Sequence, residues 1–232
     1  MVLPLYLAQT RCEMGGNSPM PNFLAYMSVH FSPGGTGLSN FPDILPPGTL
    51  LILDDSTPMY GHDPDRIIKE LSGLMERHQC EGLLLDFQRP GYGTLAELAK
   101  AVTDALPCPV GVSELYAEGL SCPVFLSPVP PDRPLRKHLA PWTGREIWLE
   151  LGLDGEILTL TEQGCTVTPL PFPDPDAEGF YDATLNCHYT VETNEKAARF
   201  TLWRTKEDLN TFLEAAETSG IAKTVGLYQE LR

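Results

Sequence analysis

The chain has 232 residues, which is enough for one single-domain barrel whose hydrophobic core needs no disulfide or metal ion to hold it together. It contains 16 Lys and Arg residues against 31 Asp and Glu residues, so its formal net charge is −15. An electrostatic field of this sign repels phosphate backbones, which excludes nucleic acid as an expected partner and favours a neutral or cationic ligand.

The six cysteines are scattered and show neither a Cys-x-x-Cys pair nor the spacing of a zinc site, so we expect buried thiols in a reducing compartment. The five histidines, including His62, show no metal or triad spacing. The first residues lack the basic start and the apolar length of a secretory signal, and no apolar run reaches membrane length. We therefore expect a cytoplasmic protein with no metal, no other cofactor and no membrane partner.

Eight segments have the apolar composition of strands, and several of them end in polar side chains. These segments are residues 3–9, 23–31, 50–55, 81–88, 109–114, 123–129, 146–151 and 224–231. The segment between the first two strands contains the Gly- and Pro-bearing stretch 15–19 and is predicted to be a loop without a helix. The Gly-rich segment 32–37 is predicted to be a plain turn.

Helices are predicted after several of these strands, and three of them have capping signals at their first turn. The signals are Asp63 followed by Pro64, Thr94 with Glu97 in the spacing of a capping box, and Thr205 before the last helix. Apolar residues recur at helical spacing behind each of these starts, so each helix has one face to bury. Short helical turns are predicted at 116–120 and 134–139.

The pattern changes between the seventh and eighth strands. Two apolar segments flank Glu162-Gln163-Gly164 as in an antiparallel hairpin, and two further strands are predicted at 184–192 and 199–203. We therefore predict an α/β fold: a TIM-like (β/α)8 barrel formed by residues 1–232, with an antiparallel β insertion at 153–203. The barrel is pared down, with few early helices and no eighth helix, and its uncovered flank suggests a homodimer or another protein partner.

The fourth strand, Glu81-Gly82-Leu83-Leu84-Leu85-Asp86-Phe87-Gln88, ends in polar side chains. Its leucines form a continuous apolar run, as expected for a parallel strand that is covered on both faces. Asp86 and Gln88 are two residues apart and therefore point to the same side of the strand. Arg89-Pro90-Gly91 then stops the strand, so the carboxyl group lies at the C-terminal end, where barrel folds place their chemistry.

This stretch resembles the fourth-strand motif Asp-x-x-Asp-x-Asp-x-Glu of chitinase-like proteins of glycoside hydrolase family 18, in its spacing, its Gly and its Asp–aromatic pair. It differs at three of the four acidic positions, which here are Glu81, Leu84 and Gln88. A second stretch, residues 200–229, resembles the closing part of the same barrels, where an insertion strand ends in an aromatic pair and the eighth strand ends in Gly-x-x-Trp. Tyr228 stands at the position of that Trp.

The resemblance implies a substrate-assisted mechanism, in which the Glu protonates the glycosidic oxygen and the Asp two residues earlier orients the N-acetyl group of the sugar. Asp86 matches this Asp, whereas Gln88 stands at the acid position and has no proton to give. Loss of a general acid costs roughly two to four orders of magnitude in rate. The resemblance therefore implies a protein that binds an N-acetylated glycan, such as a peptidoglycan fragment, with weak or no hydrolysis.

Side chains at the C-terminal ends of the strands of a barrel share one mouth. The candidates for this mouth are Asp54, Asp55, Asp86, Gln88, Ser113, Glu114, Ser127, Glu150, Tyr228 and Glu230. Carboxylates accept hydrogen bonds from sugar hydroxyls, and an aromatic ring stacks on the face of a pyranose. We therefore expect Asp54, Asp55, Ser127, Tyr228 and Glu230 to bind substrate around the pair formed by Asp86 and Gln88.

Other functional interpretations stay open. Glu114 or Glu150 could supply a relocated acid, and the protein would then be an active glycoside hydrolase. The barrel could also be a scaffold for protein assembly, since TIM barrels carry many functions. His188, on a predicted insertion strand, could overhang the mouth.

Structural roles are equally open for several of the candidates. Asp86 could pair with an arginine or with backbone amides. Asp54 and Asp55 could cap a turn or a helix. Tyr228 could pack in the core instead of stacking on a sugar.

Overall fold

The protein is described by a computed structural model, which covers residues 3–15, 20–34, 36–57, 63–153, 155–171, 173–174 and 176–231. Most of the predicted loop at 15–19, Gly35 of the predicted turn and His62 lie outside these described residues. Among the described residues the longest helix has 15 residues, and none of the helices combines the length and the apolar composition that crossing a membrane requires.

Eight parallel strands close into a barrel. They are β1 (Leu5–Gln9), β2 (Leu24–Phe31), β4 (Leu50–Asp54), β5 (Gly82–Asp86), β6 (Val110–Ser113), β7 (Val124–Leu126), β8 (Ile147–Leu151) and β14 (Lys223–Leu227). A two-residue strand, β3 (Leu38–Ser39), runs antiparallel to β2 outside the barrel. The order around the barrel is β1-β14-β8-β7-β6-β5-β4-β2, and β1 pairs with β2 to close it. The predicted TIM-like barrel is therefore confirmed.

Apolar side chains fill the barrel interior. The buried cluster there comprises Tyr6, Ala8, Ala25, Leu50, Ile52, Leu84, Phe125, Trp148 and Val225. Trp148 is fully buried and lies against Gly111, where an added Cβ atom would come within 2.6 Å of Cζ3 of the indole. A small residue opposite a large one lets layers of side chains fill such a barrel without leaving a pore.

Three long helices form the outer layer of the barrel. They are α2 (Pro64–His78), α3 (Gly93–Ala105) and α5 (Lys206–Thr218), and their buried apolar faces join the larger hydrophobic cluster outside the strands. The short helices are α1 (Arg11–Met14), α4 (Leu135–Leu139), which a 3-10 turn at Ala140–Trp142 follows, and α6 (Tyr228–Leu231). Asp63 and Thr205 cap α2 and α5 as predicted.

The predicted capping box of α3 is wrong. The N-cap of α3 is Tyr92 and no side chain caps this end, so Thr94 and Glu97 do not form the box. The helix begins earlier than the spacing predicts, because the carbonyl oxygen of Tyr92 already accepts hydrogen bonds from the amides of Leu95 and Ala96.

Two further predictions at the ends of the chain need correction. The loop between β1 and β2 does contain a helical turn, α1, because Thr10 and Glu13 form a capping box that supports it. The last strand ends at Leu227, whereas the sequence predicted a strand to residue 231. Tyr228 and Glu230 therefore lie on α6 and not on a strand.

The insertion is a five-stranded antiparallel sheet. Its strands are β9 (Gly155–Thr161), β10 (Gly164–Leu170), β11 (Phe180–Asp182), β12 (Cys187–Thr193) and β13 (Ala197–Trp203), in the order β10-β9-β13-β12-β11. It lies between β8 and β14 in the chain, which confirms the predicted antiparallel insertion.

All six cysteines are free thiols, and their burial differs from the prediction. Cys187 is buried, whereas Cys12 and Cys165 are exposed because they lie on the one-turn helix α1 and on the edge strand β10. Burial raises the pKa of Cys187 to about 11, so this thiol is protonated at neutral pH.

Within the described ranges there is no group of three or more His, Cys, Asp or Glu residues that could hold a metal ion.

Candidate functional site

Three carboxyl groups face one small cavity at the C-terminal end of the barrel. Asp54 of β4, Asp86 of β5 and Glu150 of β8 line it with apolar residues that include Leu84 and Leu227, and its volume is about 40 Å³. Each carboxyl group lies two positions after an inward-facing residue, so strand alternation brings it to the mouth. The cavity has room for a few water molecules, and it is far smaller than the roughly 300–1,000 Å³ of a typical ligand pocket.

The negative charge of Asp54 has more hydrogen-bond partners around it than that of the neighbouring Asp86. The register of β4 and β5 places it directly beside Asp86. Its Oδ1 atom lies 3.1 Å from Nδ1 of His30 and accepts a hydrogen bond from the backbone amide of Ser56 at 2.9 Å. The hydroxyl group of Ser56 also donates to it. These contacts hold the side chain at the rim of the mouth.

Asp86 and Gln88 interact directly, as their spacing on the strand predicts. The side-chain amide of Gln88 donates a hydrogen bond to Oδ1 of Asp86. Burial raises the pKa of the Asp86 carboxyl above its usual range, the hydrogen bond from Gln88 acts against this, and the charges of Asp54 and Asp55 raise the pKa further. The Asp86 carboxyl therefore keeps its proton to a higher pH than an exposed aspartate does.

The carboxylate of Asp55 is bonded to the backbone of the loop after β5. Its side chain is buried, and its two carboxylate oxygens accept hydrogen bonds from the backbone amides of Gln88 at 3.0 Å and Arg89 at 2.9 Å. The hydroxyl group of Ser113 donates to the carbonyl oxygen of Phe87 at 2.7 Å. Together these contacts fix the chain that follows β5, so Asp55 positions Gln88 through its backbone.

Glu114 and Ser127 form a second polar group, and neither residue lines the cavity. The hydroxyl group of Ser127 donates to Oε1 of Glu114 at 2.9 Å, and the imidazole of His138 lies 3.0 Å from the Ser127 carbonyl oxygen. Burial lowers the pKa of His138, which keeps the imidazole neutral at neutral pH. Of the two acids considered for relocation, Glu150 shares the cavity of Asp86, and Glu114 does not line it.

Glu81, at the first acidic position of the strand motif, lies at the opposite end of the barrel from the mouth. It pairs with Lys223 and accepts a hydrogen bond from the hydroxyl group of Tyr6. The Lys223 ammonium also lies 4.9 Å from the centre of the Tyr6 ring. Burial raises the pKa of Tyr6, so the phenol remains a donor at neutral pH. Glu81 therefore closes the bottom of the barrel.

A larger groove lies between the insertion sheet and the end of β14. Its volume is about 960 Å³, and its wall includes His188 of β12 and the residues Arg204, Thr205, Lys206 and Glu207 at the start of α5. Leu227 lines both the groove and the small cavity, so the two spaces are adjacent at this residue. The groove has the size of a ligand site.

The sequence analysis did not identify Arg204. Its position between the end of an insertion strand and the N-cap of a helix could have indicated it. Its side chain is buried, and its guanidinium group donates to the carbonyl oxygens of Asn186 at 3.1 Å, Leu185 at 3.2 Å and Val129. Val129 lies in the loop after β7, so Arg204 fastens the insertion sheet to the barrel and fixes one wall of the groove.

Tyr228 and Glu230 differ in their position on α6. Tyr228 is only 9% exposed and starts the helix, which favours core packing over stacking on a sugar. Glu230 lines the groove, and an added Cβ atom on Gly152 would lie 3.8 Å from its Oε2 atom. Glu230 is therefore close to the C-terminal end of β8, from which Glu150 projects.

The sequence matches no family model and is similar to no curated protein. The fold matches solved structures over nearly the whole chain. The spore cortex-lytic enzyme SleL of Bacillus cereus has a TM-score of 0.57 at 11% identity, with 97% of this chain and 70% of that chain covered. A chitinase from Chromobacterium violaceum has a TM-score of 0.59 at 10% identity, with 97% and 93% covered. A class V chitinase from Nicotiana tobaccum, a glutamate-to-glutamine mutant in complex with NAG4, has a TM-score of 0.60 at 10% identity, with 97% and 93% covered.

These similarities define the class of fold. The chain has a divergent chitinase-like barrel of the glycoside hydrolase family 18 type, so the fold implied by the resemblance is confirmed. At identities of 10% to 11% they establish the fold alone. The chemistry of the site has to be argued from its own residues.

Proposed function

We propose that the protein binds an N-acetylglucosamine-containing glycan, such as a peptidoglycan fragment, and hydrolyses it weakly or not at all. The observation that carries this proposal is the pair formed by Asp86 and Gln88 at the mouth of a chitinase-like barrel. Asp86 can orient an N-acetyl group, as the corresponding Asp does in the substrate-assisted mechanism. Gln88 can donate a hydrogen bond to the glycosidic oxygen but cannot protonate it.

The sizes of the two spaces suggest how the glycan lies. The cavity of about 40 Å³ beside Asp86 accepts no pyranose ring without movement of its lining, whereas the groove of about 960 Å³ has room for several sugars. We propose that the sugar chain occupies the groove and that a small substituent reaches past Leu227 towards Asp86. A structural neighbour from Nicotiana tobaccum is in complex with NAG4, which supports a glycan of this kind.

An active glycoside hydrolase is the second candidate function. The observation that favours it is the position of Glu150, which lines the same cavity as Asp86. A general acid has to lie within hydrogen-bond reach of the glycosidic oxygen, and a carboxyl group in this cavity is closer to that requirement than Glu114, which bonds Ser127 elsewhere.

The remaining expectations about partners and location stay predictions. A homodimer through an uncovered flank of the barrel, a scaffold role in protein assembly, a cytoplasmic location and function without a cofactor all belong here. Light scattering of the purified protein at several concentrations tests the dimer, because a second copy would double the mass.

Native mass spectrometry with N-acetylglucosamine tetramers and small muropeptides tests the proposed function. We expect an intact complex without shortened products. Asp86→Ala should abolish the complex, whereas Asp104→Ala should leave it unchanged, because Asp104 is an exposed residue of α3 that pairs with Lys100. Shortened products would favour the hydrolase, and the absence of both complex and products would leave the scaffold role.

A further inference from the structure

The insertion-sheet wall of the groove contains a histidine whose orientation is fixed from several sides. His188 lies on β12, lines the groove and is partly exposed, with 29% of its side chain accessible. Its ring stacks on the buried indole of Trp203 at a centroid distance of 5.8 Å and an angle of 23°. The ring of Tyr181 lies 5.2 Å away on the neighbouring strand β11.

Asp208 lies beside one of the two imidazole nitrogens of His188. Its Oδ1 atom lies 3.3 Å from Nε2 of His188. Its Oδ2 atom accepts hydrogen bonds from the backbone amide and the hydroxyl group of Thr205, at 2.7 and 2.9 Å. A carboxylate only accepts hydrogen bonds, so this contact favours the tautomer with the hydrogen on Nε2. In that tautomer Nδ1 is a hydrogen-bond acceptor.

Trp203 is itself held in place, so its stacking on His188 is a fixed feature of the wall. The indole is buried, and the backbone at Gly179 passes so close that an added Cβ atom there would lie 2.6 Å from Cη2 of the ring. The His188 ring, which packs against this fixed indole, loses little freedom when a ligand binds. A contact that is preorganised in this way gains affinity.

We propose that His188 is a ligand-contacting residue of the groove and that its Nδ1 atom accepts a hydrogen bond from a hydroxyl or an acetamido N–H group of the glycan. Asp208 is the positioning residue that leaves this nitrogen for the ligand. Within the described part of the chain, the contact with Asp208 is made by the other ring nitrogen, Nε2. The inference rests on the proposed function, and it names the groove residue that selects ligands with a donor group at this point.

Isothermal titration calorimetry with the N-acetylglucosamine tetramer tests the inference. His188→Phe keeps a ring against Trp203 and removes the nitrogen, so we expect binding to weaken about threefold to tenfold, as for the loss of one hydrogen bond. Thr190→Ala is the control: Thr190 lies two residues further along β12 on the same face and does not line the groove, so its removal should leave binding unchanged.

The outcomes separate the inference from the proposed function. If the wild-type protein binds the tetramer and His188→Phe binds it equally well, the role of His188 is disproved and the proposed function stands. If the wild-type protein does not bind, both fail. If the variant does not fold, nitrogen-15 NMR of the wild-type imidazole decides: ligand should shift the Nδ1 resonance, and an unchanged resonance at saturation would overturn the inference.

Discussion

At Asp86 the requirements of the proposed ligand binding oppose those of stability. Its carboxyl group is partly enclosed by the barrel mouth and lies beside Asp54, so its ionisation is disfavoured. A glutamate at position 88 would add another carboxyl group next to it. Gln88 instead donates a hydrogen bond to Asp86. The amide thus stabilises the ionised form of Asp86, and the same exchange removes the proton donor that hydrolysis needs.

Asp86→Asn should raise the melting temperature at pH 7. The folded-state pKa of Asp86 is raised, so the wild-type protein loses stability as the pH rises from the ordinary aspartate value of about 3.9 through the folded-state value. Asparagine has nearly the same shape and avoids this loss. Below the ordinary value Asp86 is neutral in both states, so the advantage should disappear at pH 3.

Differential scanning calorimetry at pH 3 and pH 7 measures this difference. Asp104→Asn is the control, because Asp104 is an exposed aspartate on the surface of α3. An equal gain for Asp86→Asn at both pH values would show that charge burial is not the cause.

Two helices show how far local sequence determines an element. Thr205 and Asp208 form the capping box of α5, with the Thr205 amide 2.7 Å from Oδ2 of Asp208. Thr94 and Glu97 have the same spacing, yet α3 begins at Gly93 with Tyr92 as its N-cap. The chain reaches α3 from a loop whose first amides, those of Gln88 and Arg89, are bonded to Asp55, and a spacing rule contains no information about such tertiary contacts.

Thr205→Ala should therefore destabilise the protein, and Thr94→Ala should not. Loss of a capping side chain costs about 1 kcal/mol, whereas a surface substitution without such a role stays within about 0.5 kcal/mol. Urea denaturation of both variants at equal protein concentration makes the comparison. A loss of similar size in Thr94→Ala would mean that the predicted capping box forms after all.

The elements that the sequence predicts correctly are those with local signals. The barrel strands follow from apolar runs that end in polar residues, and the antiparallel insertion follows from the hairpin around Glu162-Gln163-Gly164. The clustering of Asp54, Asp86 and Glu150 also follows once a barrel is assumed, since strand ends meet at one mouth. The groove does not follow, because it depends on how Arg204 fastens the insertion to the loop after β7.

For the molecule as a whole, closure of the barrel depends on the fit of its interior. Trp148 fills the lumen only because Gly111 leaves room for the indole. At the bottom, Glu81 and Lys223 join β5 and β14 from opposite sides of the barrel. These contacts bring together residues far apart in the chain, so they hold the barrel closed below the mouth.

Gly111→Ala should destabilise the whole protein by about 1–3 kcal/mol, because the new methyl group overlaps the Trp148 ring in a filled core. The matched control is Gly73→Ala in α2, where an added Cβ atom meets nothing within 4 Å. That substitution should be neutral or stabilising by up to about 1 kcal/mol, as expected for alanine in a helix. Thermal unfolding monitored by tryptophan fluorescence gives both values, and equal effects would contradict the packing argument.

In the function that we propose, the barrel binds its glycan without cleaving it because Gln88 stands at the position of the acid. The most direct measurement follows the products of the N-acetylglucosamine tetramer over time for the wild-type protein, Gln88→Glu and Gln88→Ala. We expect no products from the wild-type protein or Gln88→Ala, and hydrolysis by Gln88→Glu that is faster by at least about a hundredfold. Equal hydrolysis by the wild-type protein and Gln88→Glu would contradict the claim and place the acid elsewhere, with Glu150→Gln as the next variant to measure.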